Sequence, residues 1–543
     1  MRFKTLNIIF ILCILSSCGG TNNGDSVAII PAPNKIAIIK ADGFVISDKT
    51  VITFDVKDKE LLQFIAMDLV SFVDQLTGFT LDVQIDIVSD DNVINLSLNS
   101  EPKGSKAYQL MINSQVLNLS ADNPQALFYA VQSLKQLIFN NSKNMSIPAL
   151  EIIDQPRFEH RGLMLDVSRH FFSVDEIKRL LDTMALYKLN TFHWHLTDDQ
   201  GWRIEIKQYP LLTDVGSYRH ETMVDKNFDP FIGDGIPHSG FYSQNDIIDV
   251  VNYARERFIT VIPEIDFPGH MQSAIAAYPE LACSNGPFEV STRWGIHSNV
   301  LCPSDFTFEF LENVLTEVIS LFPSKKIHLG GDEVPIWRWQ QSEQAQQFIV
   351  DHSLVNESGL HGYFFQYMAN FLAKSNRQAI GWDDLIDKGI TNVATGDLDH
   401  VEPINVMVWQ DIEQAKIAAQ QNYNVIMSPS EFTYLNYYQG NQQTEPLAQC
   451  CSLPISKVYQ FRPIPAGLSI TEQQNIIGLQ ANVWTEYIKT PQHLDYMLMP
   501  RLMAIAEVAW TEENNISWQS FEKRYQQHFM LLDFLDVGFR DNN

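Results

Sequence analysis

The sequence predicts an α/β chain in which a (β/α)8 barrel is preceded by a smaller α/β domain. Three observations predict it. After residue 155, roughly eight short apolar runs alternate with helical stretches; most of those runs end in acids or tryptophans; and a separate alternation of β-rich and helical segments comes first, closed off by Pro156.

The chain opens with "MRFKTLNIIFILCILSSCGG", where Arg2 and Lys4 precede an apolar run too short to span a bilayer. Small residues follow, which predicts a secretory signal over residues 1–17. "LSSC" resembles the bacterial lipoprotein box, so acylation at Cys18 is expected, with residues 18–26 as a polar tether. The expected location is then exported and held to a bacterial membrane by lipid alone, in the outer membrane or periplasm. A formal net charge of −27 argues against nucleic acid as a partner.

Residues 27–155 carry the first alternation. "FVISDKTVITFDV", "LDVQIDIV", "NVINLSLN" and "YQLMINSQVLNLSA" read as strands, "LLQFIAMDLVSFVDQL" and "PQALFYAVQSLKQLIF" as helices. Residues 156–543 carry the barrel and a helical C-terminal end. Its candidate strands are "RGLMLDVS", "TFHWHLTD", "ITVIPEID", "KIHLGGDE", "QAIGWDD", "INVMVWQ", "NVIMSPS" and "GLQANVWTE". The helix after the first of them begins with a capping box, Ser173 to Glu176, and sets Ile177, Leu180, Leu181 and Met184 on one face.

Cys283 and Cys302 bracket the polar excursion "CSNGPFEVSTRWGIHSNVLC", and in an exported protein a loop-closing disulfide is expected. The adjacent Cys450 and Cys451 have no state fixed by the sequence. Neither pair has zinc-site spacing.

In a (β/α)8 barrel the C-terminal strand ends share one mouth, so function is read there. The ends supply Asp166, Asp198, Asp199, Glu264, Asp266, His270, Asp332, Glu333, Trp382, Asp383, Trp409, Glu431, Trp484 and Glu486. Indole faces stack on sugar rings and carboxylates bind hydroxyls, so the mixture suggests a sugar pocket. No glycine-rich phosphate motif accompanies it.

"KKIHLGGDEV" places Asp332 and Glu333 side by side, although neighbours on an extended strand leave on opposite faces. Glycoside hydrolysis usually needs two carboxyls flanking the bond, about 5–5.5 Å apart for retention or about 6.5–9.5 Å for inversion. Consecutive acids fit neither easily. If Glu333 protonates the leaving oxygen, Asp332 is free to orient a group that the substrate carries. A 2-acetamido group serves, because its carbonyl oxygen can attack the anomeric carbon internally with high effective molarity. Asp332 would then hold the acetamido nitrogen and offset the charge developing there.

"RGLMLDVSRHF", "FHWHLTDDQGWRIEIK", "PEIDFPGH", "HLGGDEV", "GWDD", "VWQ", "YLN" and "NVWTEY" occur in this order and resemble the β-N-acetylhexosaminidases of glycoside hydrolase family 20. The resemblance implies an exo-acting, retaining hydrolase of terminal β-linked N-acetylglucosamine, or N-acetylgalactosamine, working through an oxazolinium intermediate without metal or cofactor. It implies Glu333 as general acid/base, Asp332 as the acetamido-orienting acid, and Tyr434 as hydrogen-bond partner of the acetamido oxygen. Trp382, Trp409 and Trp484 are implied as pocket walls, and Arg161 as the arginine on the 3- and 4-hydroxyls. Glu486 is implied at the 4- and 6-hydroxyls, Asp198 and His270 as a pair supporting the acid/base, and Asn436 as a polar contact to the sugar. "GWDD" departs from the family's more usual Trp-plus-Glu wording, which leaves Asp383 without an assigned role.

Two other classes compete. His193 and His195 share a strand face with Asp198 near, as in metal-dependent amidohydrolase barrels, but that reading leaves the tryptophans and Asp332–Glu333 without roles. A lipid-anchored glycan-binding protein without turnover is expected to lack the acid, and Glu333 is present.

Overall fold

The computed structural model describes residues 27–54, 59–85, 91–99, 106–387 and 402–541. The first unit is a seven-stranded sheet built from β1 (Lys35–Ile38), β2 (Val51–Phe54), β3 (Asp82–Ile85), β4 (Val93–Leu98), β5 (Tyr108–Ile112), β6 (Val116–Ala121) and β7 (Leu150–Asp154), in the order β1-β7-β5-β6-β4-β2-β3. Helices α1 (Lys59–Thr77) and α2 (Pro124–Asn140) belong to it. Asn123 caps α2 by accepting from the Ala126 N–H, and Pro124 at the first turn lacks only a donor that would have no partner there. From Ala126 to Ile138 every residue of α2 is buried, because the helix lies between the sheet and the second unit.

The second unit is a closed barrel of eight parallel strands, paired in chain order: β8 (His160–Asp166), β9 (Thr191–His195), β10 (Thr260–Glu264), β11 (Lys326–His328), β12 (Gln378–Trp382), β13 (Asn405–Val408), β14 (Asn424–Met427) and β15 (Ile476–Val483), with β15 closing on β8. Each segment that the sequence assigned to the barrel contributes one strand. Helix α3 (Val174–Leu186) starts at Ser173 with both halves of the capping box made, and buries Ile177, Leu180, Leu181 and Met184. The barrel interior holds an apolar cluster of Ile262, Ile380, Trp382, Met407 and Ile426, with Trp409 and Trp484 packed against it. Above this cluster the filling turns polar. Asp166, His195, Glu264 and His328 stand in register on four adjacent strands, β8 to β11.

The seam between the units is charged and buried. Asp154 accepts hydrogen bonds from Tyr108, Lys188 and the Trp510 indole, at 2.8, 3.3 and 3.0 Å. Burial lowers the Lys188 ammonium to about 8 against the pull of Asp154. No helix among the described residues is long and apolar enough to cross a membrane.

Candidate active site

The two adjacent acids share one site because the chain leaves β11 through left-handed backbone. Gly330 (φ 66°), Gly331 (φ 92°) and Glu333 (φ 49°) break the strand geometry that would send neighbours to opposite faces. Glycine is required at 330, where a Cβ would lie 1.7 Å from Asp266 Oδ1. That same oxygen accepts the Gly331 N–H at 3.0 Å, and Asp384 Oδ1 accepts the Glu333 N–H at 3.3 Å.

Both carboxylates converge on one imidazole. His270 Nε2 lies 4.0 Å from Asp332 Oδ2 and 3.5 Å from Glu333 Oε2. Their surroundings differ, with 12% of the Asp332 side chain exposed against 34% for Glu333. Burial is the largest influence on Asp332 and pushes its carboxyl up to about 7; His270 opposes, while Asp384, Glu333 and Glu264 add to the rise. Asp332 Oδ1 is buried with no hydrogen-bond partner among the described residues. An unfilled acceptor beside an apolar box is what an amide N–H of a ligand would satisfy.

On its other side His270 Nδ1 faces Asp198 Oδ1 at 3.2 Å and Asp199 Oδ2 at 3.1 Å. Burial opposes its protonation, but Asp198, Asp199 and Glu333 override that and hold the imidazole well above its ordinary range. Asp198 is the converse case. Burial favours its neutral form, and Arg169, His270 and His195 hold its carboxyl well below the usual range.

The box is aromatic. Trp382 and Trp484 have ring centroids 6.1 Å apart, Trp409 and Tyr434 6.3 Å, and Tyr434 and Trp484 6.5 Å. The indole N–H groups are already directed: Trp382 donates to Glu264 Oε1 at 2.9 Å, Trp409 to Asp384 Oδ2 at 3.0 Å, and Trp484 to the Tyr434 hydroxyl. Burial holds the Tyr434 phenol well above its ordinary range, so it is a hydrogen-bond donor at neutral pH. At the rim, Glu486 Oε2 and Asn436 Oδ1 are buried acceptors without partners among the described residues. Burial lifts the Glu486 carboxyl to about 7, with Arg169 opposing.

The model of the glycosyl hydrolase family 20 catalytic domain matches residues 158–513, and that of the family's domain 2 matches residues 26–155. The chain belongs to glycosyl hydrolase family 20. A β-hexosaminidase of Porphyromonas gingivalis is 37% identical over 524 residues, covering 94% of this chain and 64% of that relative, so the chain spans just under two thirds of its length. A β-hexosaminidase of Akkermansia muciniphila is 33% identical, covering 83% of this chain and 87% of the relative. The structure is similar to that of a family 20 exo-β-N-acetylglucosaminidase from Vibrio harveyi in complex with N-acetylglucosamine, with a TM-score of 0.80, 30% identity, and coverage of 95% of this chain and 78% of that one.

In this family 20 chain Glu333, Asp332, Tyr434, Trp382, Trp409, Trp484, Asn436, Glu486, Asp198 and His270 all stand at the C-terminal mouth of the barrel. Arg161 does not. It stands near the start of β8 rather than at its end, five residues and about 16 Å below Asp166. There it donates to the Lys188 and Phe158 carbonyls, at 2.9 and 2.8 Å, and to the Tyr129 hydroxyl at 2.8 Å, fastening the barrel floor to α2. The arginine at the mouth is Arg169, which the sequence reading missed. Its guanidinium meets Asp198 at 2.7 Å and Asp166 at 3.5 Å, lies 5.0 Å from the Trp484 ring, and stays charged through Asp198, Asp166 and Glu486 against burial. The signal was in "DVSRHF": only an arginine beyond the strand's C-terminal end can reach the mouth. Arg169→Met is therefore expected to lower kcat/KM about 10- to 100-fold, the value of one charge-assisted contact. Arg161→Met is expected to lower the melting temperature with kcat/KM unchanged within about twofold; the reverse pattern would exchange the two roles.

Glu431 also departs from the mouth, exposed and paired with Lys457 at 3.0 Å. The two acids of "GWDD" hold backbone and box. Asp383 accepts the N–H groups of Trp409 and Gln410, and Asp384 takes the Trp409 indole and the Glu333 N–H. Cys283 and Cys302 are joined as a disulfide, Cα atoms 4.6 Å apart, while Cys450 and Cys451 are free thiols. Cys18 lies outside the described residues.

Among the described residues, three groups of side chains bring metal-ligand-type atoms within 4.8 Å: His193, Glu264 and His328; Asp198, Asp266 and His270; and His270, Asp332 and Glu333. The histidines of the competing amidohydrolase reading both turn to Glu264. Its carboxylate pairs with His195 Nδ1 and accepts the Trp382 indole N–H, and His193 Nε2 lies 3.0 Å from it.

Proposed function

We propose that the chain is an exo-acting, retaining β-N-acetylhexosaminidase that removes terminal β-linked N-acetylglucosamine or N-acetylgalactosamine by substrate-assisted catalysis. One observation carries the reading: two adjacent acids meet at one imidazole, and the more buried of them presents, beside an aromatic box, an oxygen without a partner among the described residues. Glu333 donates its proton to the glycosidic oxygen as the bond to the anomeric carbon breaks. The acetamido carbonyl oxygen forms the new bond to that carbon and closes an oxazolinium ring. Asp332, ionised, accepts the acetamido N–H and offsets the ring's positive charge. The Tyr434 phenol donates to the attacking carbonyl oxygen and orients it, while Trp382, Trp409 and Trp484 enclose the methyl and the pyranose face. Water then enters under general-base help from Glu333, the ring reopens, and the anomeric configuration is retained.

Names of relatives support the substrate class, as does the N-acetylglucosamine held by the Vibrio harveyi enzyme. The test uses a matched pair of aryl β-glycosides. The 2-acetamido substrate should turn over in the presence of EDTA with retained anomeric configuration by NMR, and the 2-hydroxyl analogue should be nearly inert. Rapid turnover of the analogue would require a protein nucleophile, and loss of activity to EDTA would favour the metal reading.

A further inference from the structure

The mouth does not end the line of ionisable groups that reaches Glu333. Behind Asp198, the buried ring of His195 has its Nε2 2.9 Å from Asp198 Oδ2 and its Nδ1 against Glu264 Oε2. Glu264 accepts in turn the Trp382 indole N–H at 2.9 Å, with His193 Nε2 and His328 Nδ1 3.0 and 2.9 Å from its oxygens. From the barrel core outward the sequence of groups is Glu264, His195, Asp198, His270, Glu333, an acid alternating with an imidazole at every step. His195, Asp198 and Glu264 are at most 1% exposed.

With a carboxylate oxygen on each ring nitrogen, His195 is satisfied only as the imidazolium, donating in both directions. Burial opposes that charge, and Glu264 and Asp198 hold the ring well above its ordinary range. Asp198 is thereby gripped through Oδ2 by both His195 and Arg169, at 2.9 and 2.7 Å, while Oδ1 accepts the Asp199 N–H at 2.6 Å and faces His270. Among the described residues, Asp384 holds the Glu333 backbone and His270 its carboxylate. When the acid gives up its proton, His270 is the group that meets the new negative charge.

Resting on the function proposed above, we propose that His195, clamped by Glu264, is a positioning residue: it fixes Asp198 so that His270 keeps its donor toward Glu333 as the leaving group is protonated. Without the imidazolium, Asp198 can swing onto Arg169 alone, which leaves His270 Nδ1 to Asp199 Oδ2 by itself and lets the ring turn away from Glu333. The defect then falls on proton donation, and it scales with how much the leaving group needs a proton.

The experiment compares His195→Gln with wild type on two β-N-acetylglucosaminides, one with an alkyl leaving group and one with a dinitrophenyl group that departs without protonation. The expected result is a kcat about 10²-fold lower on the alkyl glycoside and less than about 5-fold lower on the dinitrophenyl one, with KM unchanged for both. Glu264→Gln, which keeps the side-chain volume and weakens the clamp, should show the same divergence and serves if His195→Gln does not fold. Equal losses on both substrates would assign His195 to the barrel core alone and overturn the proposal, as would no loss on either. Wild-type cleavage of the pair reports on the functional reading by itself, and the ratio of variant losses reports on His195.

Discussion

Glu333→Gln is expected to slow hydrolysis of a β-linked N-acetylglucosamine disaccharide by about 10³-fold, within the range that general acid catalysis supplies. Glutamine keeps the size of the side chain and its backbone bond to Asp384, and the left-handed φ at this position is unaffected by the change. What is lost is the proton. A sugar alkoxide cannot leave from a neutral active site without one, whereas a dinitrophenolate can, so the activated glycoside should retain much of its first-step rate. The second step also needs the carboxylate as base, so the variant should accumulate its intermediate on the activated substrate and show a burst. Near-normal disaccharide turnover would remove Glu333 from the chemistry.

Asp332→Asn should separate activity from stability. The uncharged amide cannot offset the oxazolinium charge, and a loss of about 10²- to 10³-fold in kcat is expected, comparable to removing one preorganised electrostatic contact. Stability should move the other way. The Asp332 carboxyl sits at about 7 in the folded protein, above the value near 3.9 of an unfolded chain. Between those pH values the native state binds a proton that the unfolded state has released, so stability contributed by this group falls as pH rises from about 4 to about 7 and is level above that. Asparagine has no such dependence. The variant should melt with wild type near pH 4 and above it at pH 8, by up to a few kcal/mol. Glu486 and Asp383, also lifted to about 7, titrate in both proteins and leave the difference intact. In the wild type, kcat/KM should climb through about pH 7 as Asp332 ionises. A less stable variant at pH 8 would show that the carboxylate is welcome where it stands.

The barrel was legible because each strand carries its own local signals: a short apolar run, a capping box at Ser173 and Glu176, acids or indoles at the exit. The aromatic box and the two acids were legible for the same reason, since strand ends in a barrel point to one place. Arg161 and Arg169 were exchanged because chemistry alone does not distinguish two arginines near one strand; depth along the strand does. Glu431 failed for a related cause, as the short helix Ser430–Thr433 after β14 turns its side chain to solvent. The grip of Glu264 on His195 could not be read at all, because it joins residues 69 positions apart whose pairing follows only from strand register. The sheet's β1 and β7 were also missed, each only a few residues long, β1 half-exposed to exposed and β7 running directly into the boundary.

Arg161, misplaced by sequence, points to something about the whole chain. With Lys188 it puts two cations where the floor of the barrel meets α2 and β7, and their counterparts, Tyr129, Tyr108 and Asp154, all come from the preceding sheet unit. Neither half is therefore a finished object. Melting the sheet would strip the barrel of the groups that make its own interior charges tolerable, and the two should come apart in one transition rather than in succession.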